Sequence, residues 1–283
     1  MKIGVSSYSY WQYLSQGKMS IFDTVTKAKE MGFDAIEFAG VPEIEGKTRK
    51  ETAAELKALA EKVGIEISAY VVGANLLEGT KEDRENELAK LKEEIDIAAV
   101  LGVKLFRHDI CYRLPQNMCF DEALMIAAPL VREAAEYART LGIKTMIENH
   151  GLAFQDPDRV EKVVSAVNHK NFALLVDIVN FMCADTDNVL DVSRVANLAA
   201  HVHMKDFKKI DFYSDESKEN CFKTRACNYL RGTATGYGDA KSAQCLDILK
   251  QAGYDGYVDI EFEGPEDCIT ELEKGLKFIR SVL

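Results

Sequence analysis

KAKEMGFDAIEF, residues 27–38, reads as the end of an amphipathic helix, a glycine, and a short apolar strand. The same phrase returns as AEKVGIEISAY (60–70), AAVLGVKLFRH (98–108), ARTLGIKTMIE (138–148) and LKQAGYDGYVDIEF (249–262). Glycine suits the position just past a helix end, where the chain turns left-handed. The β-branched and aromatic residues that follow favour a strand. Three further strands lack the glycine: KIGVSS (2–7), FALLVDI (172–178) and AAHVHMK (199–205). Helices are expected between them, with Ser20 and Thr80 as N-caps of two and the others over 48–62, 121–140, 156–168, 188–196, 240–251 and 265–282.

Eight strands, each followed by a helix, imply parallel pairing through crossovers and a closed (β/α)8 TIM barrel. A doubly wound open sheet is the rival, but no GxGxxG or GxxxxGK[ST] motif supports a nucleotide-binding version of it. No composition break divides the chain, so residues 1–283 are expected to form a single domain with a long loop at about 206–239. A loop of that length in a compact barrel is usually a lid, a binding loop or an interface.

A barrel of this kind builds its active site at the C-terminal ends of its strands, so the last inward-facing residue of each strand matters most. Side-chain alternation turns Ile147, Val176, Val202, Met204, Val258 and Ile260 towards the helices. It turns inward Glu148 and His150 of the fifth strand, Asp177 of the sixth, His201, His203 and Lys205 of the seventh, and Asp259, Glu261 and Glu263 of the eighth. Glu37 of the second strand also points in. Four successive strands thus deliver ionisable groups to one end. Two glutamates, an aspartate and a histidine in a low-dielectric cavity need a counter-charge. One divalent metal ion supplies it. Oxygen-dominated ligation with one imidazole suits Mn2+ best, with Mg2+ or Co2+ close behind and Zn2+ also accepted.

The phrases IENHG, LLVDIVNF, HVHMKDF and GYDGYVDIEFEGPED, with KAKEMGFDAIEF, resemble the xylose isomerase-like barrel superfamily of sugar isomerases and epimerases. That group also includes the apurinic-site endonucleases. The resemblance implies that Glu148, Asp177, His203 and Glu261 ligate one divalent metal. It further implies that Glu148 and Glu261 move the proton. Glu263 faces the same way as Glu261 and competes for the ligand position. The expected reaction is a metal-dependent isomerisation or epimerisation of a sugar or sugar phosphate through an enediolate, with Glu148 and Glu261 as base and acid on opposite faces. If a leaving group sits β to the carbanion, the same site performs lyase or dehydratase chemistry on a keto-sugar or keto-inositol. Lys205, His150, Arg107 or His108, Glu37 and Arg231 are candidate substrate-binding groups, and Tyr8 and Trp11 of SYSYWQY are candidate stacking rings.

The remaining features narrow the partners. The net charge is −11, from 35 basic and 46 acidic residues, which argues against nucleic acid and anionic membranes. Seven cysteines without a CxxC pair suit a reducing compartment, and neither a signal peptide nor a long apolar run is visible, so the cytoplasm is expected. Five histidines are too few for a multinuclear zinc nuclease, which disfavours phosphodiester hydrolysis. A non-catalytic sugar-binding barrel is the reading from a different class, opposed by the complete ligand set. The expected partner is a small carbohydrate, with a second copy of the chain as a candidate neighbour.

Overall fold

A computed structural model describes residues 1–283. Eleven strands are present: β1 (Lys2–Ser6), β2 (Ala35–Ala39), β3 (Glu66–Val72), β4 (Leu105–His108), β5 (Lys144–Glu148), β6 (Phe172–Asp177), β7 (Ala199–Met204), β8 (Asp206–Ile210), β9 (Phe222–Lys223), β10 (Tyr229–Thr233) and β11 (Tyr257–Ile260). Eight of them close into a parallel barrel in the order β1-β11-β7-β6-β5-β4-β3-β2. The main helices outside it are α2 (Ile21–Met31), α3 (Arg49–Val63), α4 (Lys81–Leu101), α5 (Phe120–Thr140), α6 (Pro157–Val167), α8 (Asn188–Val195), α9 (Ser242–Gln251) and α10 (Cys268–Val282). Two short ones, α1 (Trp11–Ser15) and α7 (Asn180–Cys183), follow β1 and β6. The expected (β/α)8 barrel is therefore the observed one. No helix is long and apolar enough to cross a membrane.

Local chemistry sets the helix ends. Ser20 and Thr80 cap α2 and α4 by accepting the backbone N–H of Asp23 and Asp83, whose carboxylates bond back to them. Gly32 ends α2 with φ +91°, a left-handed conformation costly for other residues. One continuous apolar core packs the outward residues Ile36, Val176, Val202, Met204, Val258 and Ile260 against the helices. Inside the barrel, Gly4 leaves room for Asp259, whose carboxylate a Cβ there would strike.

One expectation needs correction. Residues 206–239 are not a plain loop: β8, β10 and β9 form a three-stranded antiparallel sheet in that order. The strands are short and interrupted by charged turns, so they carry too little alternation to stand out in the sequence. The SYSYWQY segment forms a 3-10 turn over Ser7–Tyr10 leading into α1.

The barrel closes where β1 meets β11, pairing Ile3 with Val258 and Val5 with Ile260. Ser9 pins this seam by donating to Ile260 O (3.0 Å) and accepting from Phe262 N (3.0 Å).

Candidate metal and catalytic site

Register places the site. Parallel pairing sets Asp177 beside His203, and β11 beside β7 puts Glu261 N on Met204 O at 3.0 Å. Glu148, Asp177, His203 and Glu261 each offer one ligand atom, all within 4.8 Å of one another. These four are the residues anticipated from the strand ends.

Each is held by neighbours. Glu148 Oε2 pairs with Arg107 at 2.8 Å, and its Oε1 accepts from Asn180 Nδ2 at 2.8 Å. Asp177 Oδ1 accepts the backbone N–H of Val179 (2.7 Å) and of Asn180 (3.0 Å). Asn149 clamps the backbone of Asp177 through both its amide atoms, at 2.9 Å each. His203 Nε2 meets Glu37 Oε2 at 2.8 Å. An ionised carboxylate only accepts, so Nε2 carries the proton and Nδ1 is left to face Glu261 Oε1 at 3.4 Å and Glu148 Oε1 at 3.7 Å.

Lys205 Nζ lies over the cluster, donating to Glu261 Oε2 (3.0 Å) and Glu263 Oε1 (2.6 Å) and standing 3.1 Å from Asp177 Oδ2. Burial works to raise the pKa of Glu148, but the Arg107 guanidinium and then His203 outweigh it and hold the carboxyl well below the usual range. Glu261 is likewise held down against burial by Lys205 and His203. Asp177 behaves differently. Burial pushes it up to about 6, resisted by Lys205 and reinforced by the charges of Glu148 and Glu261. Burial would lower Lys205, yet Asp177, Glu263 and Glu261 raise it well above its ordinary value.

The donor set fits a divalent cation on a structural criterion. The four donor atoms converge within 4.8 Å, the buried His203 Nδ1 makes no hydrogen bond, and the buried Asp177 Oδ2 has only the Lys205 ammonium at 3.1 Å. Buried polar atoms are rarely left so.

A cavity of about 650 Å³ opens onto this cluster and is lined by Glu148, His203, Lys205, Glu261 and Glu263. Tyr8, Arg107 and His150 line it as anticipated; His150 Nδ1 lies 3.1 Å from Asp109 Oδ1, which also takes Arg107 Nη2 at 2.7 Å. Four candidates for substrate contact fall elsewhere. Glu37 is fully buried behind His203, because its strand position is one layer too deep. His108 turns away from the cavity beside Phe106, donating from Nδ1 to Asp109 O at 2.9 Å, so Arg107 is the inward residue of that pair. Trp11, displaced by the turn of α1, lines a neighbouring groove. Arg231 sits on β10 and faces Glu266 at 3.4 Å.

Other cavity residues went unread in the sequence. Phe222 of β9 lines the cavity from the small sheet. Arg49 and Glu94 line a further wall as an ion pair joined by Tyr70. Asn180, three residues past Asp177 on a one-turn helix, was the most readable of them, since LLVDIVNF places it within reach of the same strand end.

The sequence pattern of xylose isomerase-like TIM barrels matches residues 25–282. The chain belongs to this family. Its curated relatives include inosose dehydratases from Mesomycoplasma hyopneumoniae strain J (25% identical over 159 residues, 52% of this chain and 51% of that protein) and Clostridium beijerinckii (23% over 164 residues, 56% and 53%). The matched region spans about half the length of these relatives. Among solved structures, the barrel is similar to D-psicose 3-epimerase with D-tagatose from Clostridium cellulolyticum H10 (TM-score 0.78, 19% identity, 100% and 99% of the two chains). It is also similar to the probable 3-DHS dehydratase from Bacillus anthracis (TM-score 0.77, 17% identity, 99% of each). At these identities the likeness concerns the fold of the family, which houses both epimerases and dehydratases.

Proposed function

We propose that this family member is a divalent-metal-dependent isomerase or epimerase that moves a proton beside the carbonyl of a small polyhydroxy substrate. The observation that carries the reading is the pair of ionised carboxylates, Glu148 and Glu261, that approach His203 Nδ1 from either side of β7 at 3.7 and 3.4 Å. Glu148, Asp177, His203 and Glu261 would hold the cation, Mn2+ by preference, and its chemistry when bound is to stabilise negative charge developing on the carbonyl oxygen.

The chain's own groups supply the rest. Glu148, ionised and steadied by Arg107 and Asn180, takes the proton from the carbon. Glu261 returns a proton on the opposite face. Because Glu261 is itself ionised at rest, the proton it returns is first taken up from solvent through the cavity, and Lys205 Nζ at 3.0 Å from Glu261 Oε2 holds the carboxylate in place. Glu37 keeps His203 in one tautomer, and Phe222 and Tyr8 line the cavity.

A dehydratase reading stands second, favoured by two observations. The curated sequence relatives are inosose dehydratases. Lys205 is also a proton donor poised at the same cavity, where a departing hydroxyl would need one.

The test is solvent exchange. The protein is stripped with chelator, reloaded with Mn2+ and incubated in D2O with ketohexoses, ketopentoses, their phosphates and a keto-inositol. Metal-dependent deuterium uptake with unchanged product mass supports isomerisation or epimerisation. A product lighter by one water moves the assignment to the dehydratase. Neither uptake nor mass change across the panel overturns both.

A further inference from the structure

The cavity does not end at the carboxylates. Tyr8, Ala39 and Gly40 line both it and a second cavity of about 610 Å³ beside it. The walls of this annex include Trp11, Leu14, Met19, Ile21, Phe22 and Ile44, and no charged side chain lines it. The rings of Trp11 and Tyr8 are 47% and 44% exposed, a large apolar area to leave against water. One chamber is thus crowded with charge, and the next is free of it, with the Tyr8 ring as their common wall.

We propose that the site takes an amphiphilic substrate, a polyhydroxy ring at the carboxylates that carries an uncharged aromatic substituent lying in the annex. The placement of the ring rests on the function proposed above; the annex stands on its own lining. No cation lines the annex, and Lys47 Nζ, 5.7 Å from the Phe22 ring centroid, is already paired with Glu55 at 2.6 Å, so desolvating a phosphoryl or carboxylate substituent there would be unfavourable. An aromatic ring meets the exposed faces of Trp11 and Tyr8 and displaces water from Leu14, Ile21 and Ile44. Each chamber lies within the size range of roughly 300–1,000 Å³ of pockets that enclose drug-sized ligands, and a lone sugar leaves the pair largely unfilled.

Trp11 is the only tryptophan of the chain, so its emission reports on the annex directly and without turnover. The full chain, loaded with Mn2+, is titrated with phenyl and methyl glycosides of glucose, galactose and xylose. The expected result is a saturable blue shift with the phenyl glycoside of at least one sugar, at an affinity about tenfold above its methyl counterpart. Ile44→Glu, and separately Leu14→Glu, should abolish that preference while the unfolding midpoint stays near that of the parent. No saturable change with any phenyl glycoside overturns the proposal, as does a phenyl preference that survives both substitutions. An emission already blue-shifted, indifferent to glycosides and moving red on dilution would mark the annex as an interface between two copies, and also overturns it. Saturable phenyl binding without deuterium exchange would remove the proposed chemistry and leave the annex standing. Exchange without phenyl preference would do the reverse.

Discussion

Two layers of buried charge lie one above the other at β7 and β11, and they differ in whether a cavity reaches them. The lower layer joins His201 to Asp259 (2.9 Å) and to Glu37 (3.3 Å), with Ser68 Oγ also on Asp259 (2.5 Å). It is wholly excluded from solvent, and its charges oppose each other within the layer. The upper layer gathers Glu148, Asp177, Glu261 and Glu263 around His203 and Lys205, and it faces a cavity. There four ligand atoms converge within 4.8 Å of one another, and Asp177 is driven up to about 6 by burial and its like-charged neighbours. The same residue types, two positions apart along the strands, make a closed brace below and an open site above. Carboxylates outnumber cations in both layers, and both keep buried polar atoms without a hydrogen bond; what separates them is that a cavity opens onto the upper one alone.

Substitutions should separate the layers cleanly. Glu148→Gln, which keeps shape and removes the base, should lower deuterium exchange by on the order of 10²–10⁴-fold with the unfolding midpoint nearly unchanged; wild-type exchange in that variant would dissolve the distinction between site and brace. Asp259→Asn should do the opposite. It leaves His201 short of a partner in a sealed space, and a loss of about 3–5 kcal/mol in denaturant unfolding is expected, with the metal content of the surviving folded protein intact. An equally stable variant would mean the lower layer braces nothing.

His203 belongs to both layers, so it sharpens the contrast. His203→Ala should weaken Mn2+ binding by more than the roughly 10–100-fold that follows when only the carboxylate behind a ligating histidine is lost. Calorimetric titration beside Glu37→Gln, expected within that range, gives the comparison; equal losses would place His203 outside the ligand set. The smallest effect is expected away from both layers. His108, buried and neutral, is pushed by burial down to about 4 from its ordinary 6.5. A depressed value means its contribution to stability is complete above about pH 6.5 and is lost as the pH falls through about 4. Unfolding midpoints between pH 7 and 4 should therefore decline less steeply for His108→Gln than for the parent, and parallel slopes would show that His108 titrates normally.

Much of this was readable before any coordinates. The helix–glycine–strand phrase encodes the barrel because each of its parts answers to local chemistry, the cap at Gly32 as much as the apolar strand after it. Alternation along a strand then tells inward from outward, and the family resemblance singles out Glu148, Asp177, His203 and Glu261 among the inward residues. Alternation does not tell depth. Glu37 and His203 both point inward, yet only His203 reaches the open end, because the strands are tilted and staggered around the barrel. Residues supplied by short elements were the hardest to see. Phe222 comes from a two-residue strand and Trp11 from a one-turn helix, and neither has a period to read.

The β1–β11 seam has a consequence for how the molecule is made. Ser9 and Phe262 are 253 positions apart, and the strands they fasten are the first and last of the barrel. Contacts so distant in sequence form late and slow folding. As the chain leaves the ribosome, seven strands and three of the four clustered ligands must wait, their edges unpaired, for the residues that carry Glu261. Completion of the barrel wall and completion of the ligand set are the same event, so a nascent chain has no interval in which it is shut but lacks its last carboxylate.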